Sequence, residues 1–210
     1  MIELYHCPDA RSFRALWTLE EMGVPYELHL LPFPPRVRAT EYLDVNPLGT
    51  IPLLIDGATR LTESAAIVQY LATRYGPSPL AVDAQEADYG AWLNWLHFGE
   101  ATLTFPQTLV LRYRRFEPGR ADGVVDDYAR WFVSRLKHVD RALADRDWLC
   151  AGRFTGADIS VGYALLLADF LKLLDGVAPS ILAYWERLKG RDGFKAAKRV
   201  QKLELGDTLG

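Results

Sequence analysis

Two short segments hold the residues best placed to do chemistry. The first is Gly49-Thr50-Ile51-Pro52-Leu53-Leu54, in which a proline heads an apolar run. Proline has no N–H to give to a ladder, so it belongs at a strand's first residue or on an edge. Two readings are open there. Either Pro52 merely begins an edge strand, or a cis peptide before it turns the Ile51 N–H and C=O outward, where they can pair with an extended peptide. The second segment is Leu61-Thr62-Glu63-Ser64-Ala65-Ala66-Ile67. Ser64 falls at a helix start, where its hydroxyl and the unpaired N–H groups can hold an anion, and Glu63 beside it can hold an ammonium. Together they fit the amino and carboxylate groups of an α-amino acid. The plainer alternative is that Ser64 only caps the helix.

Stepping outward along the chain, Ile2 to Tyr5 alternates as a strand and Leu16, Leu19 and Met22 recur at helical spacing until Gly23 and Pro25. Tyr26 to Leu30 alternates again, giving a strand–helix–strand unit whose strands run parallel. A proline-rich loop (Pro32, Pro34, Pro35) and a weak helix around 38–45 lead to the turn Asn46-Pro47-Leu48-Gly49. Strands over 51–55 and 59–62 flank the hairpin signal Asp56-Gly57, and a helix follows over 64–75. Gly76-Pro77-Ser78-Pro79 reads as a linker. Beyond it the pattern is helical, near 84–115, 122–144, 156–174, 179–189 and 191–200. The expected division is an α/β domain over 1–76, a linker over 77–82 and an all-helical domain over 83–210.

Composition narrows the function. The 210 residues carry a formal charge of −3 with no basic run, which argues against a nucleic-acid partner. The apolar tract from Ile159 to Leu174 contains Asp169 and Lys172 and is too short to span a bilayer, so no membrane is expected. Cys7 and Cys150 match no metal or disulfide spacing, which predicts free thiols and no metal. The N-terminus lacks a signal-peptide layout, which with free thiols suits a cytoplasmic protein.

The two segments, at this separation and within this order of elements, resemble the glutathione site of the glutathione transferase superfamily. There the pattern is Asn-Pro-x-Gly-x-Ile/Val-Pro-x-Leu, a hairpin, then Leu/Ile-x-Glu/Asp-Ser-x-Ala-Ile, and Asn46–Leu54 with Leu61–Ile67 supply each element. Phe154-Thr155-Gly156-Ala157-Asp158-Ile159 is similar to the family's capping box for a central helix of its second domain, with Thr155 and Asp158 as box and Phe154 and Ile159 as staple. The resemblance implies a thioredoxin-like βαβ-ββα N-terminal domain followed by a helical-bundle C-terminal domain. It also implies glutathione as co-substrate, held at Thr50, Ile51 and Pro52, with the Ile51 backbone binding its cysteinyl part next to a cis Pro52, and Glu63 and Ser64 binding its γ-glutamyl end. Arg11 joins that set, and Arg36 or Arg38 would meet the glycyl carboxylate.

The donor that stabilises the glutathione thiolate is harder to place. A free thiol of pKa about 8.5 is only slightly ionised at neutral pH, so an activating group is needed. Aligned without gaps, the serine or cysteine of several family classes falls on Asp9, and the cysteine of the bacterial beta class falls on Arg11. Leu4 to Trp17 looks more like a bacterial subgroup in which Ser12 and Arg11 persist. Ser12, at the start of the first helix, and Tyr5, near the end of the first strand, are therefore the catalytic candidates. Cys7 offers a different chemistry, glutathione-dependent thiol–disulfide reduction.

For a second substrate, a small apolar electrophile, the long helix after the linker is the expected source. Trp92, Trp95, Leu96 and Gly99 form its core stripe, which leaves His97 and Glu100 off the stripe and Phe105 further along as pocket candidates. The family resemblance implies a homodimer and a detoxifying transferase. A non-catalytic glutathione- or ligand-binding protein of the same fold is the competing expectation.

Overall fold

A computed structural model describes residues 1–206 of the chain. Two compact units are present: Met1–Ser78 together with the chain from Gly190 onward, and Pro79–Lys189. The linker proline run thus ends the first unit, and the last helix returns to it.

In the first unit, β1 (Ile2–His6), α1 (Phe13–Met22) and β2 (Tyr26–Leu30) form a βαβ crossover, with β1 and β2 parallel. Two short helical turns follow, α2 (Pro35–Arg38) and α3 (Tyr42–Val45), where one weak helix is predicted. Then come β3 (Leu53–Asp56), β4 (Thr59–Leu61) and α4 (Ser64–Arg74). The strand order is β2-β1-β3-β4, with β3 antiparallel to both neighbours. This is a thioredoxin-like sheet. Side chains alternate across it as a two-residue period requires: Ile2, Leu4 and His6 are buried on one face, and Tyr5 packs on the other against Tyr42 and Leu53. Gly23 ends α1 in the left-handed region at φ 62°, the usual glycine stop.

The register brings several loops to one end of this sheet. Tyr5 lies opposite Leu53, so the C-terminal end of β1 adjoins the start of β3. Leu54 pairs with Leu61, so the end of β4 adjoins that same place. The β1–α1 loop, residues 49–52 before β3, and Glu63–Ser64 after β4 therefore emerge together.

The final helix of this unit, Asp192–Gly206, docks on α1. Phe194 meets the rings of Phe13 and Trp17 edge-on at 5.3 and 5.0 Å. Arg191 bonds both carboxylate oxygens of Glu21 at 2.8 Å, a paired geometry that fixes direction as well as distance.

The second unit is helical: α5 (Tyr89–His97), α6 (Phe105–Leu111), α7 (Asp122–Ala142), α8 (Gly156–Phe170) and α9 (Pro179–Lys189). With these placed, the last helix is α10. The continuous helix predicted over 84–115 is interrupted by π-helical stretches at Phe98–Thr104 and Arg112–Phe116. Pro106, which lacks an N–H, sits in the first turn of α6 just after the first stretch, where a widened helix accommodates it. Helix α8 is the buried centre and opens with the expected box: Ala157 N–H donates to Thr155 Oγ1 at 3.2 Å, and Thr155 N–H to Asp158 Oδ2 at 2.8 Å. Gly99 lies so close to α8 that a Cβ there would fall 2.4 Å from Ser160 Oγ and 2.6 Å from its carbonyl carbon.

Candidate active site

The loop before β3 is held by its own side chains. Buried Asn46 donates from Nδ2 to Thr50 O at 2.8 Å, and its Oδ1 accepts Leu48 N–H at 3.2 Å. Tyr42 adds a hydroxyl to Thr50 O at 2.9 Å. Gly49 has φ 60° and no room for a side chain, since a Cβ would sit 2.7 Å from Arg36 Cβ. So fixed, Thr50 is exposed, Ile51 is half-buried and Pro52 is buried. The Ile51–Pro52 bond is cis, the backbone geometry that the second of the two readings requires. Ladder pairing begins only at Leu53, so the Ile51 backbone groups lie outside the sheet.

At the start of α4 the cap is Glu63, in extended conformation, and Ser64 is the first helical residue rather than the cap. Ser64 instead receives Arg14 Nη1–H on its Oγ at 3.0 Å. Arg14, from α1, is wholly buried, and sequence reasoning assigned it no role. An arginine amid Phe13, Ala15 and Leu16 was the available signal, because a charge on a buried helix face requires partners. Accepting from Arg14 on one lone pair, the Ser64 hydroxyl keeps its proton to donate. A positive charge, a hydroxyl proton and the N–H groups of the first turn of α4 thus converge where an anion belongs, with exposed Glu63 alongside.

The β1–α1 loop is organised inward. Gln201 of α10 turns its amide N–H to Asp9 Oδ1 at 2.7 Å. A carboxylate only accepts, so the Gln201 oxygen faces the other way, toward His6 Nε2 at 3.0 Å and Asp9 N–H at 3.2 Å. His6 must then carry its proton on Nε2, and its Nδ1 accepts the Ser12 hydroxyl at 2.7 Å. Ser12 Oγ in turn accepts Cys7 N–H at 3.3 Å. Burial, the largest cause, pushes the His6 imidazole down to about 4, opposed by Gln201 and Asp9, so it is neutral.

These geometries differ from a hydroxyl aimed at a sulfur. Ser12 is wholly buried, makes no side-chain cap to α1, and gives its proton to His6. Tyr5 stacks on His29 with centroids 4.4 Å apart and reaches Glu3 Oε2 at 3.5 Å, toward the far end of β1 from the loop. Burial and the Glu3 charge raise its pKa, the opposite of activation. Cys7 is wholly buried with Sγ against Pro32 O at 3.7 Å, and burial pushes its thiol up to about 12. It is not a thiolate at neutral pH, which runs against the thiol–disulfide expectation. Arg11 is half-buried in the loop, one residue before Ser12, while Arg36 and Arg38 are exposed on α2.

In the second unit, His97 ends α5 exposed, Glu100 is half-buried in the π-helical stretch, and Phe105 opens α6 exposed. Trp92, Trp95, Leu96 and Gly99 are buried as the stripe predicts.

Residues 10–74 match the model of the glutathione S-transferase N-terminal domain. Over 225 residues the chain is 39% identical to glutathione S-transferase F10 of Arabidopsis thaliana, covering 98% of this chain and 100% of that protein. The chain belongs to the glutathione S-transferase family. Its fold agrees. BphK, a bacterial transferase solved as a ternary complex, superposes with a TM-score of 0.85 at 28% identity, over 95% of this chain and 99% of that one. A sphingomonad glutathione S-transferase solved with glutathione gives 0.82 at 26% identity, over 96% of this chain and 99% of that one. Within this family, the converging loops of the thioredoxin-like unit are the candidate active site, and the observed cis-Pro52 and Glu63–Ser64 fall in its two sequence motifs.

Proposed function

We propose that this chain is a glutathione transferase that binds reduced glutathione at the end of the thioredoxin-like sheet and stabilises its thiolate for attack on a small apolar electrophile. One observation carries the reading: the buried Arg14 guanidinium fixing Ser64 Oγ at the N-terminus of α4. The γ-glutamyl carboxylate takes the Ser64 proton and the first-turn N–H groups, and Glu63 takes the ammonium. The Ile51 backbone pairs with the cysteinyl residue, which directs the sulfur toward the β1–α1 loop. There Ser12 anchors the loop through His6, and Arg11 supplies the positive charge that favours the thiolate. Tyr5 lies on the sheet face behind the loop with its hydroxyl turned to Glu3 and supplies no bond to the sulfur.

Catalysis then consists of a lowered thiol pKa plus proximity: the thiol proton leaves to solvent, and the sulfur lone pair forms the new C–S bond as the electrophile's carbon–leaving-group bond breaks, the leaving group departing to solvent with that bond's electron pair. Exposed Phe105, with His97 and Glu100, is the proposed electrophile surface. The test is calorimetric titration of glutathione into the chain and into Glu63→Ala/Ser64→Ala. Loss of one charge-assisted bond at each end is worth about 1.5–3 kcal/mol, so affinity is expected to fall at least tenfold. Equal affinity in the double variant would overturn the assignment.

A further inference from the structure

The β1–α1 loop is held by a helix nearly 200 residues away in sequence, and that link is made of polar atoms rather than packing. Buried Gln201 meets His6 Nε2 at 3.0 Å, Asp9 N–H at 3.2 Å and Asp9 Oδ1 at 2.7 Å. Lys198, one turn earlier on α10, spans both Asp9 oxygens at 2.7 and 2.8 Å. Asp9 itself has φ 54°, in the left-handed region that a side chain with a Cβ enters only when its surroundings hold it there. The Gln201 amide is matched to that turn, accepting from the Asp9 N–H and donating to its carboxylate.

The proton order carries the constraint further. Because Gln201 must present oxygen to His6, it selects the imidazole tautomer. The tautomer selects the direction of the Ser12 hydroxyl, and Ser12 Oγ then receives the Cys7 N–H. Reversing the imidazole would turn the Ser12 hydroxyl to Cys7 O, 3.4 Å away, but would require the Gln201 amide to reverse too, setting its oxygen against the Asp9 carboxylate and leaving buried polar atoms unpaired at about 1–3 kcal/mol each. A helix that served only to cover α1 would need the Phe194 and Arg191 contacts, not these.

We propose that Gln201, assisted by Lys198, is a positioning residue for glutathione activation: through Asp9, His6 and Ser12 it sets the backbone of the loop that faces the sulfur, so the thiolate is stabilised only while α10 is docked. This rests on the glutathione reading above. It concerns the loop alone, and leaves the γ-glutamyl site at α4 untouched.

The experiment compares the full chain with Gln201→Leu and Lys198→Met. Glutathione affinity is measured by calorimetry, and the thiol pKa of the bound glutathione by thiolate absorbance against pH. Gln201→Leu is expected to keep glutathione affinity within about threefold, to raise the bound thiol pKa by about one unit, and so to lower kcat near neutral pH by roughly three- to tenfold with KM little changed. Lys198→Met, at the surface, is expected to give the same change at smaller size and carries the test if the leucine variant does not fold. The ¹⁵N spectrum of His6 gives a readout that packing alone does not move: Nε2-protonated in the parent, mixed in Gln201→Leu. An unchanged bound thiol pKa in the folded variants overturns the inference while leaving glutathione binding intact. A parent chain that binds no glutathione overturns the function itself, and this inference with it.

Discussion

Replacing Arg14 by Met separates a ligand-binding cation from a structural one. The guanidinium lies 3.0 Å from Ser64 Oγ. A carboxylate accepting the Ser64 proton at about 2.7 Å would then sit roughly 5–6 Å from the positive charge. At an effective dielectric near 20, that separation is worth about 3 kcal/mol. Partial screening by entering water lowers this, so a loss of about 1–3 kcal/mol, or about 5- to 150-fold in glutathione affinity, is expected. Stability should fall as well, by about 1–3 kcal/mol, because removing one side of a buried polar contact leaves Ser64 Oγ without its donor. The assay is a cycle: parent and Arg14→Met, each titrated with glutathione and with an analogue lacking the γ-glutamyl carboxylate. The substitution should cost affinity for glutathione and nearly none for the analogue. Equal losses for both ligands, or none for either, would refute the electrostatic argument and leave Arg14 as a packing residue.

Other consequences can be checked more briefly. Cys7→Ala should retain glutathione-dependent turnover within about twofold, since a wholly buried thiol raised to about 12 supplies no thiolate; a tenfold loss would restore the thiol–disulfide reading. Gly99→Ala should lower stability by about 1–3 kcal/mol despite the better helix former, because the new Cβ meets Ser160 backbone at 2.6 Å; an unchanged melting temperature would contradict that close approach. His6 should remain neutral at pH 5 by NMR, and protonation with a midpoint near the ordinary 6.5 would disprove its burial in the relay. The sign follows: the unfolded imidazole gains its proton below 6.5 and the folded one only near 4, so this group's contribution is complete above 6.5 and falls by about 3 kcal/mol on acidification to 4. Asp158, raised by burial to about 6 from 3.8, works in the opposite sense over that range. Asp158→Asn should therefore show a steeper acid loss than the parent in urea melts, and parallel curves would refute the opposition.

Much of the architecture was legible in the chain because it rests on local rules. Alternation gave Tyr26–Leu30, Gly23 stopped α1, and Thr155 with Asp158 announced α8. The segments 46–54 and 61–67 were legible for the same reason: turn residues, a strand-heading proline and a helix start are each specified within a few residues. The π-helical stretches were missed, although Pro106 marked the first, because helical periodicity alone does not register a widened turn. What the sequence could not decide is which way a polar group faces once distant elements meet. Ser12 reads as a helix-start hydroxyl, yet His6 takes its proton because Gln201, 195 positions beyond His6, fixes the imidazole. Arg14 reads as one charge among apolar neighbours, and only the packing of α1 against α4 gives it Ser64. Local propensity is set by neighbours along the chain, whereas hydrogen-bond direction is set by whichever donors and acceptors burial brings together.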